Sequence, residues 1–140
     1  MWTDTAEIVT TASPQLLWRL FEDVAGWTRW NAGIERIALR GPFASGSTFA
    51  MQPPGMDVFT STLRDVRAGA GFVDETLLEG TRFLVSHELV PLADGGTRVV
   101  YAVRVDGPEA ATLGPLVTAD FPDVLAALKA LAERGAAEVS

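Results

Sequence analysis

The chain has 140 residues, 48% of them apolar, and a formal net charge of −7, a globular composition long enough for one domain with its own core. It has no cysteine and a single histidine, which excludes disulfides, thiolate catalysis and cysteine or multi-histidine metal sites. The acidic balance suits neither phosphate backbones nor nucleic acid generally.

The opening MWTDTAEIVTT lacks the basic start and long apolar core of a secretory signal. No uninterrupted apolar run of about 18 residues marks a membrane span, so no stable membrane insertion is expected and cytoplasmic residence is the default. Ala6 to Thr11 is β-rich and partly alternating, the pattern of a first strand. Ser13-Pro14 then reads as a helix start, Ser13 as N-cap and Pro14 in the first turn. Leu16, Leu17, Leu20 and Phe21 supply its buried face. Val24 to Trp30 forms a second short helix. Ile34 to Arg40 and Ser47 to Met51 are the next strands, separated by turn residues around Gly41-Pro42. Asp57 to Val66, Gly69 to Leu78, Thr81 to Val90 and Thr97 to Asp106 complete a run of seven strands. Glu79-Gly80 fits a two-residue hairpin turn only loosely; Asp94-Gly95-Gly96 is a firmer turn signal.

From Pro108 to Arg134 the apolar spacing becomes helical. Val117, Phe121, Val124, Leu125, Leu128, Leu131 and Ala132 recur at three- and four-residue steps. Gly114-Pro115 and Pro122 are awkward within one continuous helix: Gly114-Pro115 can kink it or part an opening turn from the main body, and Pro122 can sit in the first turn if Asp120 caps the rod. A long helix with one oily face, following a run of antiparallel strands, must bury that face on the sheet. A curved sheet gripping such a helix leaves a hollow between the two.

Strand alternation assigns side chains to that hollow. On the last strand Tyr101 and Val103 share a face with Thr97, Val99 and Val105, and Arg98 and Arg104 mark the opposite face as solvent. On the strand before, Phe83 and His87 share a face with Val85 and Leu89. Phe59, Ser61 and Leu63 are the inward choice on the fourth strand, Phe49 and Met51 on the third. On the fifth, Asp74 faces inward if Phe72 does. Trp27, Trp30 and Asn31 lie where the short helices meet the sheet, and Leu116 and Phe121 cover the opposite rim. Large apolar residues with a few separated polar groups make up this inward set, as in ligand pockets and ordinary cores alike.

The segments ASPQLLWRLFEDVAGWTRWNAGIERI from Ala12, GSTFAM from Gly46, HELVPLADGGTRVVYAVRVDGP from His87 and the terminal GPLVTADFPDVLAALKALAE carry a resemblance over nearly the whole chain. They resemble the START-like, Bet v 1-like (SRPBCC) superfamily, in its polyketide cyclase/dehydrase-like branch. The resemblance implies an α+β helix-grip fold: a seven-stranded antiparallel sheet wrapped around a long C-terminal helix, two short helices between strands 1 and 2, and one domain over residues 1–140. It also implies an internal hydrophobic cavity for a lipid-like, polyketide-like or aromatic molecule. No universal catalytic motif comes with it.

His87 is the only side chain whose ordinary pKa lies near neutrality, so it can act as general acid or base. Tyr101 can donate to an oxyanion or ligand carbonyl, and Asp74 can orient His87 or accept a proton. A histidine bonded locally in a core, and a tyrosine hydroxyl with a local partner, are the bland readings of the same residues. Three functions stay open: binding of a small hydrophobic or aromatic ligand, a cofactor-free cyclase or dehydratase using His87 and Tyr101, and a protein-interaction domain. None calls for a metal or a cofactor. Both monomer and homodimer fit.

Overall fold

The computed structural model describes the backbone of residues 1–139 and the side chains of residues 1–135; the last residue of the domain expected over 1–140 lies outside the described residues. The elements run β1 (Trp2–Thr10), α1 (Pro14–Glu22), a 3-10 helix (Val24–Arg29), β2 (Arg36–Arg40), β3 (Thr48–Gln52), β4 (Phe59–Arg67), β5 (Gly71–Leu78), β6 (Thr81–Pro91), β7 (Thr97–Asp106), α2 (Ala110–Thr118) and α3 (Phe121–Val139). The strands form one antiparallel sheet in the order β1-β7-β6-β5-β4-β3-β2. This is the helix-grip architecture.

Strand β1 begins four residues before the expected start at Ala6. It pairs with β7 without interruption from Trp2 opposite Val105 to Thr10 opposite Thr97. The ladder holds the polar stretch Thr3 to Thr5, which carries no alternation of its own. The hairpin between β5 and β6 is tighter than its sequence suggests. Leu78 pairs with Thr81, and both Glu79 (φ 49°) and Gly80 (φ 81°) adopt the left-handed conformation. Two positive φ values in a two-residue loop match the twist of the flanking strands. In β4 the register with β5 shifts between Arg64 and Arg67, with Asp65 at φ 45°. This is a bulge, and it lies beyond Phe59, Ser61 and Leu63, so their alternation is intact.

The expected single helix from Pro108 is two helices. Of the two expected interruptions the structure takes the one at Pro122: the break falls at Ala119–Asp120, and Pro115 lies inside α2. Pro122 has no N–H to give the carbonyl four residues back, so the helical ladder cannot run through it. Instead it occupies the first turn of α3, a position that tolerates proline. Val124 N donates to Asp120 O at 2.9 Å as the new helix begins. Gly114 meets Trp2 so closely that any Cβ there would overlap the indole, which seats α2 on β1. Ala110–Gly135 has the length and mean hydropathy of a membrane-crossing segment, although no uninterrupted apolar run of that length exists, since Asp120, Asp123 and Lys129 interrupt it. Its inner side nonetheless packs on the core through Val124, Leu125, Leu128 and Ala132.

One core cluster joins Leu17, Phe21, Leu63, Phe72, Leu89 and Val99 to these α3 residues; a smaller one joins Val103, Val105 and Ala110. Helices α2 and α3 lie mainly over β1 and β7. The far end of α3 is pinned by Glu133, which accepts from Thr10 Oγ1 at 2.7 Å and Thr11 N at 3.3 Å. The start of α1 is fixed by Ser13 Oγ, which accepts from Leu16 N at 3.2 Å. Ser13→Ala should therefore cost about 1 kcal/mol, read as a lower urea midpoint with an unchanged slope.

Candidate functional site

Side chains on neighbouring antiparallel strands point the same way when their residues are paired. Phe72 on β5 pairs with His87 on β6, and His87 with Tyr101 on β7. All three face the helices, in one row across the sheet. In the next row Asp74 pairs with Leu63 on one side and Val85 on the other. Asp74 is thereby a diagonal neighbour of His87. The open question on β5 is resolved: Phe72 is buried on the helix side, and so Asp74 and Thr76 face inward with it.

The row is tightly packed. The Phe72 and His87 rings stack with centroids 4.1 Å apart and planes 9° from parallel. Tyr101 meets His87 edge-on at 4.5 Å and Phe121 edge-on at 5.6 Å. Phe21, from α1, contacts both Phe72 (5.3 Å) and His87 (6.0 Å). Trp27 stacks on Phe72 at 5.8 Å, and its Nε1 donates to Phe21 O at 2.9 Å. Trp30, at the end of the 3-10 helix, is buried against Trp27 and Phe21. Rings thus occupy the middle of the concave side. Toward the β3–β6 end the inward residues Met51, Phe59, Asp74, Phe83 and Val85 are only half-buried. Val117 and Phe121 flank it from the helices. Two recesses lie outside this interior: one of about 540 Å³ beside the 3-10 helix and β2–β3, one of about 330 Å³ on the outer face of the sheet.

The polar atoms of this interior are poorly matched. Among the described residues His87 Nδ1, Tyr101 Oη and Trp30 Nε1 are buried and have no hydrogen-bond partner from the protein. Deeper in, Ser61 and Thr76 satisfy each other at 2.6 Å. His87 Nε2 lies 3.8 Å from Asp74 Oδ2, too long for a direct hydrogen bond. Burial pushes Asp74 up to about 7, with no cation near enough to oppose it. Burial also depresses His87 to about 3, only partly offset by the backbone at Phe72 and Val85. Tyr101 is pushed above the usual phenol range, first by burial and then by the charge of Asp74. The imidazole and the phenol are therefore neutral at physiological pH, while the carboxyl is poised between its two forms.

Other expected site residues divide. Phe49 is buried beside Trp27 at 5.5 Å. Val103 is buried beneath α2 in the smaller cluster, with half-buried Phe83 packed against it. Asn31 serves its own loop, where its Oδ1 accepts from Gly33 N at 2.9 Å. Leu116 is the correction. It is 69% exposed, because the α2 face that meets β1 and β7 carries Ala110 and Gly114 and turns Leu116 away from the interior. Sequence reasoning missed Phe43, whose ring packs edge-on against Phe72 at 5.1 Å and Trp18 at 5.6 Å. It sits in an irregular loop, where no periodicity assigns a facing. Asp120 was missed as well; its carboxylate lies beside Gly33 and Asn31 at the rim, and burial raises its pKa. Among the described residues no three histidine, aspartate or glutamate side chains come together as a metal would require.

Comparison with known proteins agrees with this architecture. A family model described as polyketide cyclase / dehydrase and lipid transport matches residues 1–133. A Mesorhizobium loti crystal structure superposes with a TM-score of 0.80 at 17% identity, covering 95% of this chain and 98% of that one. A Thermobifida fusca solution structure is 26% identical, with a TM-score of 0.73 and coverage of 96% and 93%. A point mutant of Thalictrum flavum norcoclaurine synthase, in complex with a transition-state analogue, is 12% identical with a TM-score of 0.76 and coverage of 96% and 95%. No curated protein sequence matches the chain. With its family model spanning all but the last seven residues and the helix-grip topology present strand for strand, the chain belongs to the polyketide cyclase/dehydrase and lipid transport family of the START-like superfamily.

Proposed function

We propose that this protein binds a small aromatic or similarly apolar molecule carrying a hydrogen-bonding group, received from the half-open β3–β6 end toward His87 and Tyr101. The observation that carries this reading is the trio of buried polar atoms, without a protein partner among the described residues, in an otherwise apolar, ring-lined interior: His87 Nδ1, Tyr101 Oη and Trp30 Nε1. A buried polar group without a partner costs about 1–3 kcal/mol, and the large majority of such groups in folded proteins are paired. A ligand hydroxyl or carbonyl recovers that cost, and its apolar body replaces water on Phe83, Val85 and Phe121. The fold supports the reading in general terms, since it places an apolar concave sheet face beneath two helices. A cofactor-free lyase-type reaction on such a ligand is the second reading. It is favoured by one feature, the Asp74 carboxyl held near neutrality (about 7) beside His87, where a general acid or base works best.

Calorimetric titration with 2-acetylnaphthalene and 2-naphthol tests the binding. Saturable 1:1 binding is expected, with Tyr101→Phe weakening it about fivefold through loss of one hydrogen bond. The reading fails if neither probe binds at any pH and native mass spectrometry of protein from its own cells shows no retained small molecule.

A further inference from the structure

Resting on that ligand-binding reading, we propose that the site takes a cation: an aromatic or apolar body bearing a protonated amine, with Asp74 as the counter-ion that receives the ammonium.

Strand β5 turns Asp74 onto the concave face, between Leu63 of β4 and Val85 of β6. A carboxylate placed among apolar neighbours is costly unless donors or a cation attend it. None does so among the described residues. The one charge-bearing side chain near it is His87, whose Nε2 stands 3.8 Å from Oδ2, beyond hydrogen-bond distance. Burial holds that imidazole neutral at physiological pH. Of its polar neighbours on the same face, Thr76 is engaged with Ser61 at 2.6 Å. Nothing but burial acts on the carboxyl itself.

The adjacent residue shows what a carboxylate of this sheet ordinarily receives. Glu75, on the outer face, is bracketed by Arg64 at 3.2 Å and Arg82 at 2.6 Å. Every arginine of the chain is exposed, and Lys129, the one lysine, lies on α3 a turn before Glu133. No protein cation is therefore in a position to serve Asp74. Its side chain nonetheless keeps 16% of its surface exposed, so it borders space that solvent enters. The neighbouring inward residues Met51, Phe59, Phe83 and Val85 are half-buried as well. A ligand lying on that apolar surface brings its polar end to the carboxylate. An ammonium group supplies both the charge and the N–H donors that the protein withholds, and a charge-assisted hydrogen bond is about twice as strong as a neutral one. The rings of Tyr101 and Phe121, packed edge-on at 5.6 Å, offer the cation further favourable surroundings.

The test compares two probes of one shape, 2-naphthylmethylamine and 2-naphthylmethanol, by calorimetry on the whole protein at pH 8. There Asp74, with its pKa of about 7, is ionised, and the amine remains protonated. The amine should bind at least about tenfold more tightly than the alcohol. Asp74→Asn should abolish that preference while changing the affinity for the alcohol less than about twofold. Asp57→Asn removes an exposed carboxylate from the loop between β3 and β4 and should keep the preference intact. Equal binding of the two probes by the wild type overturns the cation proposal, as does a preference that survives in Asp74→Asn. Equal loss in Asp57→Asn also overturns it, since the general acidity of the chain would then be the cause. Saturable binding of the alcohol or of 2-naphthol without any advantage for the amine leaves the ligand reading standing and removes the cation. Failure of every naphthalene probe, charged or neutral, overturns both.

Discussion

Asp74→Asn raises the stability of the protein at pH 8 by up to about 4 kcal/mol and leaves it nearly unchanged at pH 4. The sign follows from the proton count. In the unfolded chain Asp74 titrates at its ordinary 3.8; in the folded protein it titrates at about 7. Between those values the folded state holds the extra proton, so the contribution of Asp74 is fully present below 3.8 and lost as pH rises to 7. The loss is about three pH units at about 1.4 kcal/mol each, and asparagine, which never ionises, escapes it.

His87 contributes with the opposite sign. Its pKa falls from 6.5 to about 3 on folding, so the unfolded state binds more protons between those values and stability falls as the medium is acidified. In the wild type the two slopes cancel. Near pH 5 the unfolded pair holds one proton, on the imidazole; the folded pair also holds one, on the carboxyl. Each single variant uncovers one slope. Asp74→Asn loses stability from pH 6.5 downward, and His87→Gln loses it from pH 4 upward to 7. Urea unfolding at pH 4, 6 and 8 reads both. Two variants with parallel pH profiles would show that burial does not set these pKa values.

Phe72→Ala costs about 3–5 kcal/mol, as expected for a buried phenylalanine whose site cannot collapse. Phe72 is 1% exposed. Its ring is held by four others from four different segments: Phe21 on α1, Trp27 on the 3-10 helix, Phe43 in the loop before β3, and His87 on β6. Such neighbours cannot all move inward, because each is fixed by its own element, so the cavity persists. Phe72→Leu restores most of the volume and should recover at least half of the loss. The alanine variant also removes the ring stacked on the imidazole and admits water to it, so His87 should titrate closer to its ordinary 6.5. The urea midpoint measures the first effect and the His87 nitrogen shifts the second. A cost below about 1 kcal/mol would mean that the ring cluster is loose enough to close over the missing side chain.

The inward residues were legible where one physical rule acted alone. On β6 and β7 a strict period of two places His87 and Tyr101 among buried neighbours, and no bulge interrupts it. The charged residues Arg98 and Arg104 identify the outer face of β7 without reference to any partner. On β5 both faces carry apolar and acidic residues, so alternation alone leaves Asp74 undecided; its pairing with Leu63 and Val85 decides it. Phe43 had no period to read. Leu116 fits a helical stripe as well as Val117 does, but which side of α2 meets the sheet depends on Trp2 fitting against Gly114, a contact between residues more than a hundred positions apart.

The sequence by itself determined the succession of elements, the family, and the row that carries His87 and Tyr101. These follow from local periodicity and from breakers such as Pro122, which act along the chain. Only the tertiary structure decided that His87 Nδ1, Tyr101 Oη and Trp30 Nε1 are buried without a protein partner among the described residues, and that Asp74 lies 3.8 Å from the imidazole. The physical reason is that burial and the pKa of a buried group depend on everything packed around it. Those neighbours are gathered from α1, the 3-10 helix, four strands and α3, and no window of sequence contains them.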